Sequence, residues 1–362
     1  MSVIKFIHTA DLHLDSRLTA FSDSLKARTR RNELLICFCE IAVFAEENNV
    51  NGILIAGDLF ESANVSVSVK KEVIAVFEKH KNIKFIILNG NHDSDSLSDF
   101  NKDELPTNVF VFGKKLCHTV VEGINIFGQE IDESFNAGAL PTFAKNEVNI
   151  LMLHGDLSKT DAAKSSSNIN IGKLRDKNID YLALGHYHTF REEIIDPRGV
   201  AVYCGTPEPR GFDERGDKGF VLIEIEQATV KYNFVPFSTR CFHDIVVDVS
   251  IAETNIELCE IIRRKLERVD AKDAVKITLM GNVSENNQID VFTVQKEFEN
   301  KFFFVKVQNK TKIRFELDTK GSELSLKNEF RKVVNGMKES DEIKNDILCM
   351  GFAALKGSEV DI

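Results

Sequence analysis

Five short apolar runs punctuate the chain up to His188, and each ends in a polar turn carrying Gly or His: VIKFIHTADLH, GILIAGDLF, KFIILNGNHD, VNILMLHGD and YLALGHYH. Continuous apolar runs of this length predict strands buried on both faces, and in α/β sheets ligands collect beyond the carboxyl ends of such strands. The five polar turns are therefore expected to converge. Between the first two runs, LLICFCEIAVFAEE sets Leu34, Leu35, Phe38, Ile41, Ala42 and Ala45 on one helical stripe, and Val69, Val73, Val76 and Phe77 predict a second helix. Strand, helix, strand, helix, strand is an α/β order.

From about residue 108 the pattern changes to turn-linked hairpins, among them EEIIDPRGVAVYCG and GFVLIEIEQATVKYNFV, which predict a second, mostly antiparallel sheet. After VPFSTR, alternating DIVVDVS and AVKITLMG are interleaved with helical stretches, predicting a small α/β cap; two short helices follow in the tail. The expected divisions are residues 1–238 for the main domain, 239–322 for the cap and 323–362 for a helical tail. The biased stretch KSSSNIN reads as a mobile loop.

Composition narrows the class. With 43% hydrophobic and 28% charged residues the chain is an ordinary globular one, and its net charge of -10 means that a polyanion such as DNA would have to be met by local basic surface or bound metal. The seven cysteines, an odd number without a C-x-x-C pair, fit reduced thiols better than a disulfide framework. The start MSVIKFIHTADLHL runs into a strand pattern without a leader, and no uninterrupted apolar segment is long enough for a bilayer. A cytoplasmic protein with no membrane association is expected.

The polar residues at the five turns are Asp11 and His13, Asp58, Asn91 and His92, His154, then His186 and His188. They supply oxygen and nitrogen and no thiol, which points to hard or borderline divalent ions. Residues i and i+2 at a strand end point the same way, so Asp11 with His13, and His186 with His188, can each offer two ligands to one side of a cleft. Asp58 can give one oxygen to each of two metals. Two ions roughly 4 Å apart generate a hydroxide near neutral pH and clamp a phosphoryl centre for in-line attack. Their charge of about +4 outweighs the two aspartates and attracts a phosphate ester despite the acidic chain.

This ordered series, D-x-H, G-D, G-N-H-D, H and G-H-x-H across residues 11–188, resembles the calcineurin-like metallophosphoesterases. FIHTADLHLDSRL, GDLFE and GTPEPRGFDERGDKGF look most like the SbcD/YhaO branch of bacterial DNA repair exonucleases. The resemblance implies a four-layer α/β/β/α sandwich of two mixed sheets flanked by helices, with a smaller C-terminal α/β cap. It implies two divalent ions, manganese foremost with magnesium, iron or zinc as alternatives. Asp11, His13, Asp58 and His188 would hold one ion, and Asp58, Asn91, His154 and His186 the other, with His92 beside the phosphate as the catalytic residue, stabilising it or protonating the leaving oxygen. The implied reaction is phosphodiester hydrolysis of DNA from an end, with internal cutting of single strands in some relatives. It allows an SMC-like or AAA-type ATPase partner and a homodimer. The chain ends soon after the cap, so the long C-terminal segment that binds such an ATPase is expected to be reduced or missing.

Several residues admit two readings. Glu61 stands where nucleases of this group often carry His or Asp, and is either a solvated carboxylate or a partner to His92. The basic run SLKARTRR, with Lys26, Arg28, Arg30 and Arg31, either touches a DNA backbone or opens a helix. Arg210, in a loop fixed by prolines and glycines, either meets substrate or pairs with Asp213 or Glu214. Asp93 and Asp156 are expected to support ligands rather than be ligands, Asp15 to be a loop residue, and His8, His80, His118 and His243 to be structural. The metal set alone also serves phosphatases acting on proteins or small esters, and a binding subunit of an ATPase complex with an idle site is the rival of another class.

Overall fold

The computed structural model describes residues 3–18, 21, 23–62, 64–93, 105–160, 167–284, 289–314 and 326–355. The chain divides into two units, Met1–Phe242 and His243–Ile362. The first runs β1 (Ile4–Thr9), α1 (Ser24–Glu47), β2 (Gly52–Ala56), α2 (Val67–Lys79), β3 (Lys84–Leu88), β4 (Val109–Val111), β5 (Cys117–Val121) and β6 (Ile124–Gly128). It continues through β7 (Asn149–His154), β8 (Asp156–Ser158), β9 (Asn168–Asn170), β10 (Tyr181–Gly185), β11 (Arg191–Ile194), β12 (Val200–Tyr203), β13 (Gly219–Glu226) and β14 (Thr229–Pro236).

Two mixed six-stranded sheets result, in the orders β14-β13-β1-β2-β3-β4 and β11-β12-β10-β7-β6-β5. The expected mixed-sheet α/β class holds, but the second sheet is not mostly antiparallel. Its centre, β12-β10-β7-β6, is a parallel ladder, with antiparallel strands only at the two edges. The hairpin β13-β14 joins the first sheet instead, where β13 pairs antiparallel with β1. A hairpin pattern reveals local pairing and not which sheet the hairpin will extend.

The sheets face each other across a shared core that includes Phe6, Leu54, Ile86, Ile126, Ile150, Met152 and Val202. Because β1, β2, β3, β7 and β10 are covered on both faces they read as unbroken apolar runs, which explains the pattern in the sequence. Helix α1 starts where Asp23 accepts the Leu25 and Lys26 N–H groups, and buries Leu34, Cys37, Phe38, Ile41, Ala42 and Ala45. Helix α2 buries Val73, Val76 and Phe77, with the Phe77 ring 4.7 Å from that of Phe85 on β3. The outer face of the second sheet packs Leu151, Leu153, Leu182 and Leu184 against two 3-10 turns, Ala137–Ala139 and Ile171–Leu174. Of the stretch KSSSNIN, the first residues lie outside the described ones, while Asn168–Asn170 pairs with Asp156–Ser158.

In the second unit, β15 (Phe242–Asp248), which begins at the boundary, β16 (Ala274–Met280) and β18 (Phe304–Asn309) form a sheet, and β17 (Asn282–Ser284) pairs with β19 (Lys312–Arg314). Helices α3 (Asn255–Lys265) and α4 (Val291–Phe298) cover it through Leu258, Ile262, Val294 and Phe298. Helices α5 (Leu326–Asn335) and α6 (Asp341–Leu355) pack around Val334, Leu348 and Phe352. No helix among the described residues is long and apolar enough to cross a membrane.

Candidate metal centre

The five polar turns meet at the carboxyl ends of β1, β2, β3, β7 and β10. The first two are stitched by their backbones: Asp11 N–H donates to Gly57 O (3.1 Å), His13 N–H to Asp58 O (3.0 Å), Leu14 N–H to Leu59 O (2.9 Å), and Glu61 N–H returns to Leu14 O (3.0 Å). This pairing turns the chain sharply. Asp11, His13, Asp58 and His186 all sit at positive φ, +54°, +46°, +51° and +99°, conformations that cost side-chain-bearing residues on the order of 1–3 kcal/mol each and persist where the surroundings impose them. Space is equally constrained. A Cβ on Gly57, itself at φ +97°, would lie 2.0 Å from His154 Nδ1, and one on Gly90 would lie 2.1 Å from Asp58 Oδ1.

The side chains converge in two overlapping groups. His13 Nε2 lies 3.3 Å from His188 Nε2 and 3.8 Å from Asp58 Oδ2, and His188 Nε2 lies 4.0 Å from Asp11 Oδ1. His154 Nε2 lies 3.4 Å from Asp58 Oδ2 and 3.0 Å from Asn91 Oδ1, which is also 3.3 Å from His186 Nδ1. Asp58 belongs to both groups. All seven residues singled out as metal ligands in the sequence are thus brought together.

The tautomers explain what these distances mean. Glu214 Oε1 accepts from His188 Nδ1 at 2.7 Å, Ala56 O from His154 Nδ1 at 2.9 Å, and Glu61 Oε2 lies 3.0 Å from His13 Nδ1, off the line of a straight hydrogen bond. With each Nδ1 held from outside the centre, the Nε2 atoms are turned inward: His13 toward His188, His154 toward Asp58 and Asn91. Ring nitrogens and oxygens facing one another at such distances share a proton in the metal-free protein, and the same nitrogen and oxygen set suits a hard or borderline divalent ion.

Charges agree with this reading. Burial opposes protonation of His154, yet Asp58 and Asp11 override it and raise the imidazole to about 9. Burial likewise opposes charging of His188, but Glu214 and Asp11 raise it. His13 is held below its ordinary value by burial, against the pull of Glu61. Burial disfavours the Asp58 anion, but the bond and charge of His154 keep its carboxyl well below the usual range. In metal-free protein, protons occupy positions that suit a cation.

The surrounding residues resolve the open readings. Glu61 is a half-buried carboxylate that lies against His13 and accepts from Arg210 at 2.7 Å; it also comes near the His92 ring, whose Nδ1 meets its backbone carbonyl at 3.3 Å. Exposed His92 has its N–H on Asp58 Oδ1 (3.0 Å) and its ring centre 5.1 Å from that of His13. Asp156 lies 3.4 Å from His186 Nε2, and Asp93, raised by burial and Asp58 to about 6, accepts the Gly90 and Phe60 N–H groups. Asp15 is a loop residue accepting Ser66 N–H.

Arg30 does not face solvent or substrate. It is fully buried, donates to Pro209 O (2.7 Å) and pairs with Glu33 and Glu208. Arg210 pairs with Glu214 and not only there, since it reaches Glu61 as well. The role of Glu214 beside His188 is not visible in the sequence, because 26 residues separate them without a periodic relation; nor is that of Lys218, whose buried ammonium donates to His188 O at 2.6 Å. The structural histidines behave as expected: His8 meets Tyr181 Oη (2.9 Å), His80 meets Glu46 (2.8 Å), His118 stacks on Phe127 and, in the second unit, His243 meets Asp273 (2.9 Å). Beside Glu61 and Arg210 opens a cavity of about 960 Å³, also lined by Asp15, Arg17, Arg31 and Asn64.

Residues 4–190 match the sequence family described as calcineurin-like phosphoesterase. The chain is similar to the metallophosphoesterase YhaO of Bacillus subtilis, 28% identical over 307 residues that cover 78% of this chain and 73% of that one. It is also similar to the DNA double-strand break repair protein Mre11 of Sulfolobus acidocaldarius, 22% identical with 86% of each chain covered. The protein of the same name from Sulfurisphaera tokodaii is 24% identical, covering 83% of this chain and 78% of that one.

Proposed function

The chain belongs to the calcineurin-like phosphoesterase family, a metal-dependent phosphoester hydrolase, and from that premise we propose that it hydrolyses the phosphodiester bonds of DNA as a manganese-dependent exonuclease in repair. The observation that carries the reading is the pair of inward-turned Nε2 atoms of His13 and His188, 3.3 Å apart and each with a carboxylate at its Nδ1.

Asp11, His13, Asp58 and His188 would hold one divalent ion and Asp58, Asn91, His154 and His186 the other; the approach of Asp58 to both His13 and His154 and of Asn91 to His154 and His186 supports this, while Asp11 lies close to both sets. Two such ions supply Lewis acidity and acidify water near neutral pH. Glu61, Glu214, Asp156 and the Ala56 carbonyl keep the four imidazoles oriented, which raises their strength as donors. His92 meets the Glu61 carbonyl through Nδ1, so Nε2 is the atom left toward substrate; as the imidazolium, with a proton on each nitrogen, it can hydrogen-bond a phosphate oxygen or give the Nε2 proton to the departing sugar oxygen.

DNA as substrate is supported by the similarity to relatives named for double-strand break repair; in the cavity beside the centre Arg17 and Arg31 are the cations for flanking phosphates, set among the acids Asp15 and Asp213. A cytoplasmic setting, a homodimer and an ATPase partner accompany this reading. The deciding experiment supplies manganese and compares end-labelled duplex and single-stranded DNA with a bis-aryl phosphodiester and an aryl monoester. Progressive shortening of DNA supports the exonuclease; turnover of the monoester alone would move the assignment to a phosphatase.

A further inference from the structure

The guanidinium of Arg210 spans two carboxylates contributed by distant parts of the chain. Its NH1 donates to Glu61 Oε2 at 2.7 Å, and its Nε and NH2 donate to Glu214 Oε1 at 3.2 and 3.1 Å. Glu61 follows β2 and lies against His13; Glu214 lies in the loop before β13 and holds His188. The turn from Arg210 to Glu214 is already closed without this side chain, since the Arg210 backbone N–H donates to Glu214 Oε2 at 2.7 Å. The reach to Glu61, 149 positions away in sequence, is therefore more than loop closure.

We propose that Arg210 is a positioning residue that couples Glu61 and Glu214, acting on His13 through Glu61 and on His188 through Glu214 and its own NH2, 3.2 Å from His188 Nδ1, so that it sets the affinity of one metal position and leaves the other unaffected. This rests on the two-metal reading above. The planar fork of an arginine can address both carboxylates at once with fixed spacing, which a lysine ammonium cannot. Its single positive charge also offsets part of the repulsion between two carboxylates that would otherwise splay apart. On the other side of the centre nothing comparable is needed: His154 is held by the Ala56 carbonyl and His186 by Asp156, neither of which touches Arg210 among the described residues.

The test is manganese binding by isothermal titration to wild-type, Arg210→Met and Arg210→Lys proteins, with electron paramagnetic resonance of the loaded samples. Wild type should take up two equivalents. In Arg210→Met one equivalent should weaken about 10- to 100-fold, the range seen when a group that orients a ligand is removed, while the other stays within about twofold. The spectrum should change from that of a coupled pair to that of an isolated ion. Arg210→Lys keeps the charge, guards against a variant that fails to fold, and should show the same selective loss. Two equivalents of unchanged affinity in both variants, or equal weakening of both, would overturn the inference alone. Fewer than two equivalents in the wild type would instead overturn the two-metal reading beneath it.

Discussion

Nε2 of His154 stands 3.4 Å from Oδ2 of Asp58, with its Nδ1 turned 2.9 Å to the Ala56 carbonyl, so the atom that would hold a metal carries a proton when no metal is bound. Burial works against that proton, but Asp58 and Asp11 keep it on up to about 9. This folded value exceeds the ordinary 6.5, so the His154 contribution to metal-free stability is complete below about 6.5 and is lost as pH rises through 9. A metal must displace the same proton. Manganese uptake at pH 7 is therefore expected to release protons from His154 and from His188, whose affinity for its proton is also raised, and to tighten as pH approaches 9. Titration calorimetry in Tris and in PIPES reads the release as a difference in apparent enthalpy. Identical enthalpies in the two buffers would remove the proposed protonation of the metal-free centre.

His92 is separable from the metal site by mutation. Its anchor to Asp58 is a backbone N–H, which alanine retains, and its ring is exposed. His92→Ala should keep wild-type manganese content, measured by plasma mass spectrometry, and lose roughly 10²- to 10⁴-fold in turnover, the share that a positioned proton donor supplies. Asp58→Ala should lose manganese as well as activity, because its carboxylate faces both His13 and His154. Full turnover by His92→Ala would remove its assigned role.

The convergence of the seven candidate ligands was legible because each stands at the end of a buried strand or just after it, and such strands write themselves as apolar runs with a polar end. What holds those residues was less so. Glu61 in sequence adjoins the loop of Asp58 and invites pairing with exposed His92, and the stitching of Leu14 to Glu61 brings its carboxylate against His13 as well. Glu214 reaches His188 only because β13 returns to pair with β1, placing its preceding loop over the end of β10. Long-range pairing of that kind leaves no local pattern. The same cause misplaced the β13-β14 hairpin, whose alternation records one buried face without saying which sheet it will extend. The basic run opens α1, one of the two readings that the sequence allowed, but its burial was not legible because charge is usually solvated; Arg30 is buried because Glu33 and Glu208 meet it there.

Gly57 tests how tightly the centre is built. Its φ of +97° is strained for any side chain, and a Cβ would overlap the His154 ring at 2.0 Å. Gly57→Ala should therefore displace His154, weaken manganese binding and cost about 1–3 kcal/mol of stability. Gly113→Ala, where nothing lies within 4 Å of the added carbon, is the matched control and should be neutral or slightly stabilising. Urea unfolding of both variants gives the comparison, and equal midpoints would show that the site yields more easily than its contacts indicate.

Arg30 is where the loop that carries Arg210 is fastened to the scaffold. Its guanidinium, wholly buried, donates to Pro209 O and lies 2.7 Å from Glu208 Oε1; Glu208 in turn accepts Thr239 N–H, and Arg240 pairs with Glu33 from the same side. Burial raises the Glu208 carboxyl, and the charge of Arg30 pulls against that rise. Arg30→Met would leave Glu208 buried without its counter-charge and release the Pro209 carbonyl from α1, and the expected cost is about 3–5 kcal/mol. Part of that cost is the stranded acid and not the lost pair. The double variant Arg30→Met/Glu208→Gln should accordingly recover stability relative to Arg30→Met alone, measured by urea unfolding of metal-free protein. Manganese affinity separates the second effect: in both variants Glu214 sits in a loosened loop, so binding at the His188 side should remain weakened even where stability returns. Recovery of both quantities together would mean that Arg30 acts on the centre only through the global stability of the fold.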